Sequence, residues 1–198
     1  MPRDSAAPYT ISGSNDPAGF HVGNMRDLRP TWGQKIARLF DYWKDIRSGS
    51  GFPSRLDIDP VAIAPTLANV FLGDIDPNGP EFVYRLAGEE IVTVFNNYNG
   101  RHGFVGVKLG ESLPPEKAAL IRNRWRPLAE SGQIIYMRGL VYLTLDRYAI
   151  GERLVLPLST GGKGVDGFLG LTVCAWQSLE KLGHSEGLDI YYIDPATV

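Results

Sequence analysis

The residue types that most often carry chemistry are few in this chain and stand far apart. The 198 residues include a single cysteine, Cys174, and three histidines. No set of His, Cys, Asp and Glu residues has the spacing of a zinc site. Gly161–Gly164 reads GGKG, but it lacks the pattern of a phosphate-binding loop and is expected to join two strands. The sequence therefore predicts no catalytic residue and no metal site.

Two acidic and three basic residues leave alternatives open. Glu89 and Glu90 begin a predicted helix, where carboxylates interact favourably with the helix dipole. General acid–base catalysis by this pair is the less favoured alternative. Arg122, Arg124 and Arg126 belong to a later helix. We favour a solvated helix face for them over an anion-binding face, although guanidinium groups pair well with carboxylates and phosphates.

Composition and charge exclude several classes of protein. A hydrophobic content of 43% and a charged content of 21% are typical of a globular protein. The 20 basic and 22 acidic residues give a net charge of −2, which is not the basic footprint of a nucleic-acid-binding protein. No apolar run approaches the roughly 18 residues of a membrane span, and the N-terminus lacks the apolar core of a signal peptide. We therefore expect a cytoplasmic protein that binds neither nucleic acid nor membranes.

The distribution of residue types divides the chain into four segments. We predict a flexible N-terminal tail over 1–29, an amphipathic helix over 30–51, a folded domain over 52–178 and a C-terminal extension over 179–198. Within the extension, the sequence LDIYYIDP predicts an extra strand or an edge contact.

The N-terminal helix carries a wide apolar stripe. Thr31 and Gln34 have the spacing of a capping box, which predicts the start of this helix. The stripe consists of Trp32, Ile36, Leu39, Phe40, Trp43 and Ile46. Because the helix is expected to lie outside the core fold, part of the stripe is predicted to form a homodimer interface. The alternative is that the helix packs on its own sheet.

The central segment alternates strands and helices. The predicted strands are Val70–Ile75, Phe82–Ala87, Ile134–Leu145, Ala149–Leu158 and Gly167–Trp176. The predicted helices cover Pro60–Leu67, Glu89–Phe95 and the segment from Ser112 to Ser131. Strands at this spacing with short loops favour antiparallel hairpins. The sequence therefore predicts an α+β fold, with a five-stranded antiparallel sheet and helices inserted between the second and third strands.

Three motifs in this segment are typical of one family. They are PSRLDIDP (Pro53–Pro60), VFLGDID (Val70–Asp76) and YRLAGEEIVTVF (Tyr84–Phe95). Together they resemble a bacterial family of short, stand-alone PAS-domain proteins. The resemblance implies a PAS-like sensor fold and a role in signalling or small-molecule sensing. It implies no established ligand, catalytic residue or output partner.

The cofactors of PAS domains leave recognisable marks in sequence. Flavin photochemistry requires a reactive cysteine on a helix, whereas Cys174 lies in the strand GLTVCAW. Haem binding usually requires a histidine on a helix near the ligand cleft. Of His21, His102 and His184, only His102 falls near the expected cleft, in a Gly-rich loop. The sequence therefore predicts no cofactor.

A cleft between the sheet and its helices is the expected ligand site. The residues predicted to face it are Tyr84, Leu86, Ile91, Phe95, Trp125, Met137, Leu156 and Leu171. The pattern leaves open whether they form a ligand-sized cavity or a filled core. In the polar arm that precedes the sheet, Arg55 stands close to Asp57 and Asp59. Charge-assisted hydrogen bonds among them are predicted to pin the arm, and we favour this structural role over ligand contact.

These features favour a non-catalytic, PAS-like sensory or signalling module that binds a small molecule or a protein partner. The alternative is a small enzyme or small-molecule carrier that uses the same cleft. Titratable residues converging in the cleft would favour the enzyme, and an apolar lining would favour the module. Because only 22 residues follow Trp176, we expect a separate protein to act as the output partner.

Overall fold

A single mixed sheet forms the centre of the protein. The computed structural model describes residues 18–49, 51–76, 81–99, 105–144, 146–162, 164–182 and 187–198, and the side chains of 95–99 and 112 lie outside this description. The strands of this part are β1 (Gly19–Val22), β2 (Val70–Asp76), β3 (Glu81–Ala87), β4 (Ile134–Leu143), β5 (Arg147–Leu158), β6 (Gly167–Ser178) and β7 (Leu188–Ile193). Their order across the sheet is β1-β7-β4-β5-β6-β2-β3.

Helices cover both faces of this sheet. They are α1 (Met25–Leu28), α2 (Gln34–Asp45), α3 (Glu89–Asn99), α4 (Leu109–Ser112) and α5 (Pro115–Ser131). Short 3-10 turns span Arg29–Thr31, Arg55–Asp57, Ala64–Asn69, Leu179–Lys181 and Pro195–Thr197. On one face α2 packs in a core with Leu154, Leu156, Leu169 and Leu171, and we call this the α2 face. On the other face α3 and α5 pack in a core with Phe71, Phe82, Ile135 and Phe168, and we call this the α5 face. No helix of the described part is long and apolar enough to cross a membrane.

The predicted α+β class is confirmed, but the number of strands is not. The five predicted strands are β2 to β6, they pair antiparallel, and α3, α4 and α5 lie between β3 and β4. Two further strands extend the sheet beyond β4: β7 pairs antiparallel with β4, and β1 pairs parallel with β7. The LDIYYIDP segment is thus an interior strand. Within the predicted tail over 1–29, Gly19–Val22 instead forms a strand, because β7, which lies 170 residues further along the chain, pairs with it.

The start of α2 differs from the predicted capping box. Thr31 lies in a preceding 3-10 turn and donates its hydroxyl to the Leu28 carbonyl at 2.8 Å, and Gly33 is the N-cap residue. The Gly33 N–H donates to the Glu152 carboxylate of β5 at 3.0 Å, and the Tyr136 hydroxyl donates to the same carboxylate at 2.6 Å. A negative charge is stabilising at a helix N-terminus. Glu152 therefore caps α2 from the sheet, and the helix is joined to the fold from its first residue.

The apolar stripe of α2 is buried within the chain. Ile36, Leu39 and Trp43 are fully buried, and Phe40 and Trp32 nearly so, all in the core of the α2 face. Ile46, at the C-cap, is half-buried. The prediction that part of this stripe remains free for a second copy is therefore wrong, because the sheet that covers it belongs to the same chain. Self-association stays a prediction, but it requires another surface.

The polar arm before β2 is held by side chains, though not by the predicted set. Arg55 donates to Asp74 of β2 at 2.7 Å, and Arg85 of β3 donates to the other oxygen of Asp74 at 2.6 Å. Asp57 accepts from the Ser54 N–H at 2.8 Å, and Asp59 accepts from the Val61 N–H at 2.9 Å. The arginine therefore pairs with the second motif, VFLGDID, and the two arm carboxylates shape local turns. Because these groups are partly exposed, each ion pair is expected to add little stability alone.

Candidate functional site

A cavity of about 270 Å³ lies on the α5 face, between the sheet and helices α3 and α5. Its lining residues are Phe71, Tyr84, Ile91, Val94, Leu113, Lys117, Leu120, Ile121, Arg124, Trp125, Leu140, Val141, Tyr142, Leu143 and Arg153. Small-molecule pockets typically enclose roughly 300–1,000 Å³ behind mostly apolar walls with a few polar groups. The cavity has this character, and its volume of about 270 Å³ lies just below this range.

Aromatic rings form the base of the cavity. The Trp125 indole of α5 stacks on Phe71 of β2, with centroids 6.0 Å apart and planes 13° apart. Tyr84 of β3 meets Phe71 edge to face at 5.8 Å. Phe168 and Phe82 pack behind these rings in the same core. Such rings are held by contacts on several sides, so the base of the cavity is preformed.

A β-bulge in β4 builds one wall. The pairing of β4 with β5 shifts between Leu140 and Tyr142, which leaves Val141 as an extra residue. Gly139, just before it, has a φ of 115°, a conformation that other residues rarely adopt. In a regular strand successive side chains point to opposite faces, but all four residues from Leu140 to Leu143 line the cavity. The bulge redirects their side chains, as bulges next to functional sites do.

Three cationic side chains reach the lining. Lys117 and Arg124 lie two turns apart on α5, and Arg153 comes from β5. None of the described residues that line the cavity is acidic. The described lining therefore combines apolar walls with three basic side chains.

Arg153 is held in place by the sheet. Its Nε donates to the Thr172 hydroxyl of β6 at 2.9 Å, and a terminal nitrogen donates to the Val141 carbonyl at 3.4 Å. The guanidinium lies 4.7 Å from the centroid of the Tyr142 ring, which stacks at 5.8 Å on Trp176. The Arg147 guanidinium lies 4.3 Å from the centroid of the Trp176 ring. These contacts among two cations and two rings hold Arg153 at the edge of the cavity.

Burial and nearby charge shift two titratable groups on this face. Burial raises the pKa of the Tyr84 hydroxyl, while the positive charge of Arg153 acts in the opposite direction. Burial also raises the pKa of the Cys174 thiol, which Arg153 lowers and Glu90 raises further. Both groups are thereby kept in their neutral forms near pH 7. The α5 face therefore carries an uncharged tyrosine hydroxyl and an uncharged cysteine thiol, both within the electrostatic influence of Arg153.

The buried hydroxyl of Tyr84 predicts a loss of stability at high pH. In the unfolded chain a tyrosine ionises near pH 10, whereas the folded protein keeps Tyr84 protonated above that pH. The unfolded state then binds fewer protons, so the free energy of unfolding falls as pH rises above 10, by up to about 1.4 kcal/mol per pH unit. We expect urea unfolding between pH 7 and 11 to show a shallower decline in Tyr84→Phe. Below pH 9 the difference in the free energy of unfolding between Tyr84→Phe and the wild-type protein should be constant. If the two free energies stay parallel up to pH 11, Tyr84 is not the group responsible for the decline.

The comparison with known protein families concerns the segment that contains the three sequence motifs. A family model described as a PAS domain matches residues 33–101. The predicted PAS resemblance is confirmed. The match begins at Gly33, the N-cap of α2, so it includes the helix that we had placed before the PAS domain. Comparisons with curated proteins and with solved structures gave no match.

Three of the predicted cleft residues line the cavity, namely Tyr84, Ile91 and Trp125. Met137 is buried in the core of the α5 face but is not among the lining residues. The side chain of Phe95 lies outside the described residues. A space of about 270 Å³ adjoins the packed core of the α5 face, to which these buried residues belong.

The other three predicted cleft residues are elsewhere. Leu156 and Leu171 are buried on the α2 face, because strand residues one position away from the cavity-facing set point to the opposite side. Leu86 is 45% exposed. The pairing of β2 with β3 shifts at Arg85, and this bulge turns the side chains that follow it. Placing these three leucines at the cleft was therefore wrong.

The sequence interpretation missed the basic residues of the lining. Arg124 was assigned to a solvated helix face, yet it is half-buried at the cavity. Arg122 pairs with Glu81 of β3, and only Arg126 is exposed, where it contacts Asn123. The spacing of Lys117, Ile121 and Arg124 along α5 could have indicated a shared face next to Trp125. Arg153 carried no such signal, because its role depends on a strand pairing and on a bulge.

Other candidate groups lie away from the cavity. His21 on β1 contacts Asp189 at 2.9 Å and stacks on Tyr191, while His102 and His184 lie outside the described residues. Glu89 and Glu90 are exposed in the first turn of α3. Among the described residues, no group of three or more His, Cys, Asp or Glu side chains is placed to hold a metal ion.

One serine motif was overlooked in the sequence. The segment 183–187 reads GHSEG, which has the G-x-S-x-G spacing of a nucleophile elbow. Residues 183–186 lie outside the described part, but Gly187 leads into strand β7. A nucleophile elbow requires a strand, a sharp turn and then a helix. This segment runs into a strand, so its context does not match that of the motif.

Proposed function

We propose that this protein is a non-catalytic PAS-type sensory module that binds a small molecule in the α5-face cavity and transmits binding to a protein partner. The observation that carries the proposal is the cavity of about 270 Å³, which has preformed aromatic walls and a few fixed polar groups. A cavity of this kind is the usual form of a small-molecule site. It lies against strands β2 and β3 and helix α3, which belong to the segment that matches the PAS family.

The polar groups of the lining favour binding over catalysis. They are three cations and two tyrosine hydroxyls, and none of the described lining residues is acidic. General acid–base catalysis needs groups that titrate near the working pH. Burial moves the pKa of the Tyr84 hydroxyl further from neutrality. The lining therefore supports recognition of a ligand over general acid–base catalysis.

The cavity also suggests how binding could be transmitted. A ligand in it would contact α3, α5 and the bulged end of β4 at the same time. A ligand shifts an equilibrium toward the conformation that it binds more tightly. Occupation would therefore favour the state in which both helices are closed on the sheet, and we propose that the partner reads this closure.

The first test is whether a small apolar probe enters the cavity. We expect N-phenyl-1-naphthylamine, a neutral dye that fluoresces in apolar surroundings, to bind the protein with one site. Ile121→Phe should weaken this binding at least tenfold, because Ile121 lines the cavity and a larger ring occupies its space. Fluorescence titration measures the dissociation constant in each case.

The control substitution is Ala119→Phe, which adds a larger side chain at an exposed position of the same helix. It should leave dye binding unchanged within about twofold. Circular dichroism melting checks that both variants are folded. Failure of the wild-type protein to bind the dye, or equal binding by Ile121→Phe, would contradict the proposed site.

A further inference from the structure

We propose that the cavity selects an organic acid, with the acidic group at Arg153 and the apolar body against Phe71 and Trp125. This inference rests on the proposed function and adds the chemical class of the ligand. It starts from the basic residues of the lining. The lining contains Lys117, Arg124 and Arg153, and none of the described lining residues is acidic.

Arg153 has the capacity to bind an anion. A guanidinium group has five N–H donors. In the described part, two of its nitrogens are used, by the Thr172 hydroxyl and the Val141 carbonyl, and no carboxylate lies within ion-pair distance of it. Both acceptors are neutral, so they orient the group without cancelling its charge. The remaining donors suit a carboxylate, which pairs with a guanidinium fork in two parallel hydrogen bonds.

The apolar surroundings of Arg153 strengthen the electrostatic interactions of its guanidinium group. Arg153 stands beside apolar and aromatic walls, and the ring of Tyr142 covers one face of the guanidinium. Electrostatic interactions are stronger where water is excluded. A neutral or cationic ligand would leave the guanidinium without a counter-charge, which disfavours binding. The same cavity therefore attracts an acid and rejects an amine of equal length.

The rest of the cavity determines the character and the size of the non-acidic part of the ligand. The lining also contains the stacked rings of Phe71 and Trp125 and the side chains of Ile91 and Val94. These groups offer apolar contact but no charge. A volume of about 270 Å³ is small for a ligand pocket, so a short aliphatic or a single-ring acid fits better than a long lipid.

Displacement of N-phenyl-1-naphthylamine by three eight-carbon competitors tests the inference at pH 8. Octanoate, 1-octanol and octylammonium share one tail and differ only in the head group. We expect octanoate to displace the dye at a concentration at least tenfold lower than 1-octanol, and octylammonium to be the weakest. An apolar cavity without charge selection would give the reverse order for octanoate and 1-octanol, because 1-octanol is the less soluble of the two in water. That order, or equal displacement by the two, would overturn the inference.

A substitution assigns the selectivity to Arg153. Arg153→Met removes the charge and keeps the length of the side chain, and we expect it to abolish the advantage of octanoate while displacement by 1-octanol changes less than about threefold. Arg138→Met, at an exposed position of β4 away from the cavity, should keep the full advantage. An unchanged octanoate preference in Arg153→Met would overturn the assignment. Should this variant fail to fold, Arg153→Lys decides, because it keeps the charge and should retain a preference for octanoate over 1-octanol.

The two proposals fail in different ways. Absence of dye binding by the wild-type protein contradicts the proposed function itself. Dye binding that is lost in Ile121→Phe, together with no preference for octanoate, leaves the sensory site in place and overturns only the acid selectivity.

Discussion

Replacing Trp43 with alanine is expected to lower the free energy of unfolding by about 3–5 kcal/mol. The Trp43 indole is fully buried between α2 and the sheet. Its N–H donates to the Pro157 carbonyl of β5 at 2.9 Å, and the Arg47 guanidinium lies 4.8 Å from its ring. The alanine variant leaves a cavity and a buried carbonyl without its donor. Urea unfolding followed by circular dichroism measures the loss.

The control for this prediction is Trp43→Phe. It keeps most of the ring but removes the N–H, so it should cost about 1–3 kcal/mol and separate the hydrogen bond from the packing. The loss in Trp43→Ala should not depend on protein concentration, because the stripe of α2 is covered by its own chain. A variant of unchanged stability that dissociates a wild-type dimer would contradict the packing of α2 and support the interface predicted from the sequence.

Replacing Gly88 with alanine is expected to cost about 3 kcal/mol or more of stability. Gly88 ends the YRLAG motif, and its N–H donates to the Val70 carbonyl at 2.8 Å. A Cβ at this position would lie 2.0 Å from the Leu67 carbonyl oxygen and 2.5 Å from the backbone of Ala68. Backbone atoms cannot move aside as a flexible side chain can, so the whole 3-10 turn Ala64–Asn69 would have to shift. The glycine is therefore required by close backbone packing.

Gly161→Ala provides the matched control for Gly88→Ala. A Cβ at Gly161 would meet no atom within 4 Å, and this glycine does not have a positive φ. Its variant should remain within about 1 kcal/mol of the wild-type protein, on either side. The midpoints of urea unfolding compare the two directly. Equal stability of both variants would show that the turn does not constrain Gly88.

Both substitutions act on the junction between the family motifs and the rest of the fold. Trp43 joins α2 to the end of β5, and Gly88 joins the start of α3 to the turn before β2. Neither residue lines the cavity. Trp43→Ala and Gly88→Ala are therefore expected to lower the free energy of unfolding more than the affinity for a ligand. Ile121→Phe and Arg153→Met should instead lower the affinity more than the stability.

Local patterns in the sequence determined the types of the elements. Strand alternation and loop spacing predicted β2 to β6 in their correct order along the chain, and the helical period predicted α2 and α5. Gly132, which has a φ of 67°, ends α5 where the sequence predicted. The three family motifs predicted the PAS resemblance. These features depend on residues close together in the chain, so a single sequence contains the information.

The tertiary structure decided what each element contacts. The sequence predicted the apolar stripe of α2. The same pattern does not indicate whether the stripe packs against a second copy of the protein or against the chain's own sheet. Strand β1 was not predicted, because a four-residue segment has too little pattern of its own and takes its hydrogen bonds from β7.

The candidate site depended most on long-range geometry. Bulges at Arg85 and Val141 change which side chains face the cavity, and a shift of one residue exchanges the two faces of a strand. This moved Leu86 out of the predicted cleft and brought Tyr142 into the lining. Arg153 reaches the cavity only because β4, β5 and β6 pair in one particular register. Residue types along the chain predict that strands will form, but the pairing energy of distant strands sets the register, and with it the charge of the cavity.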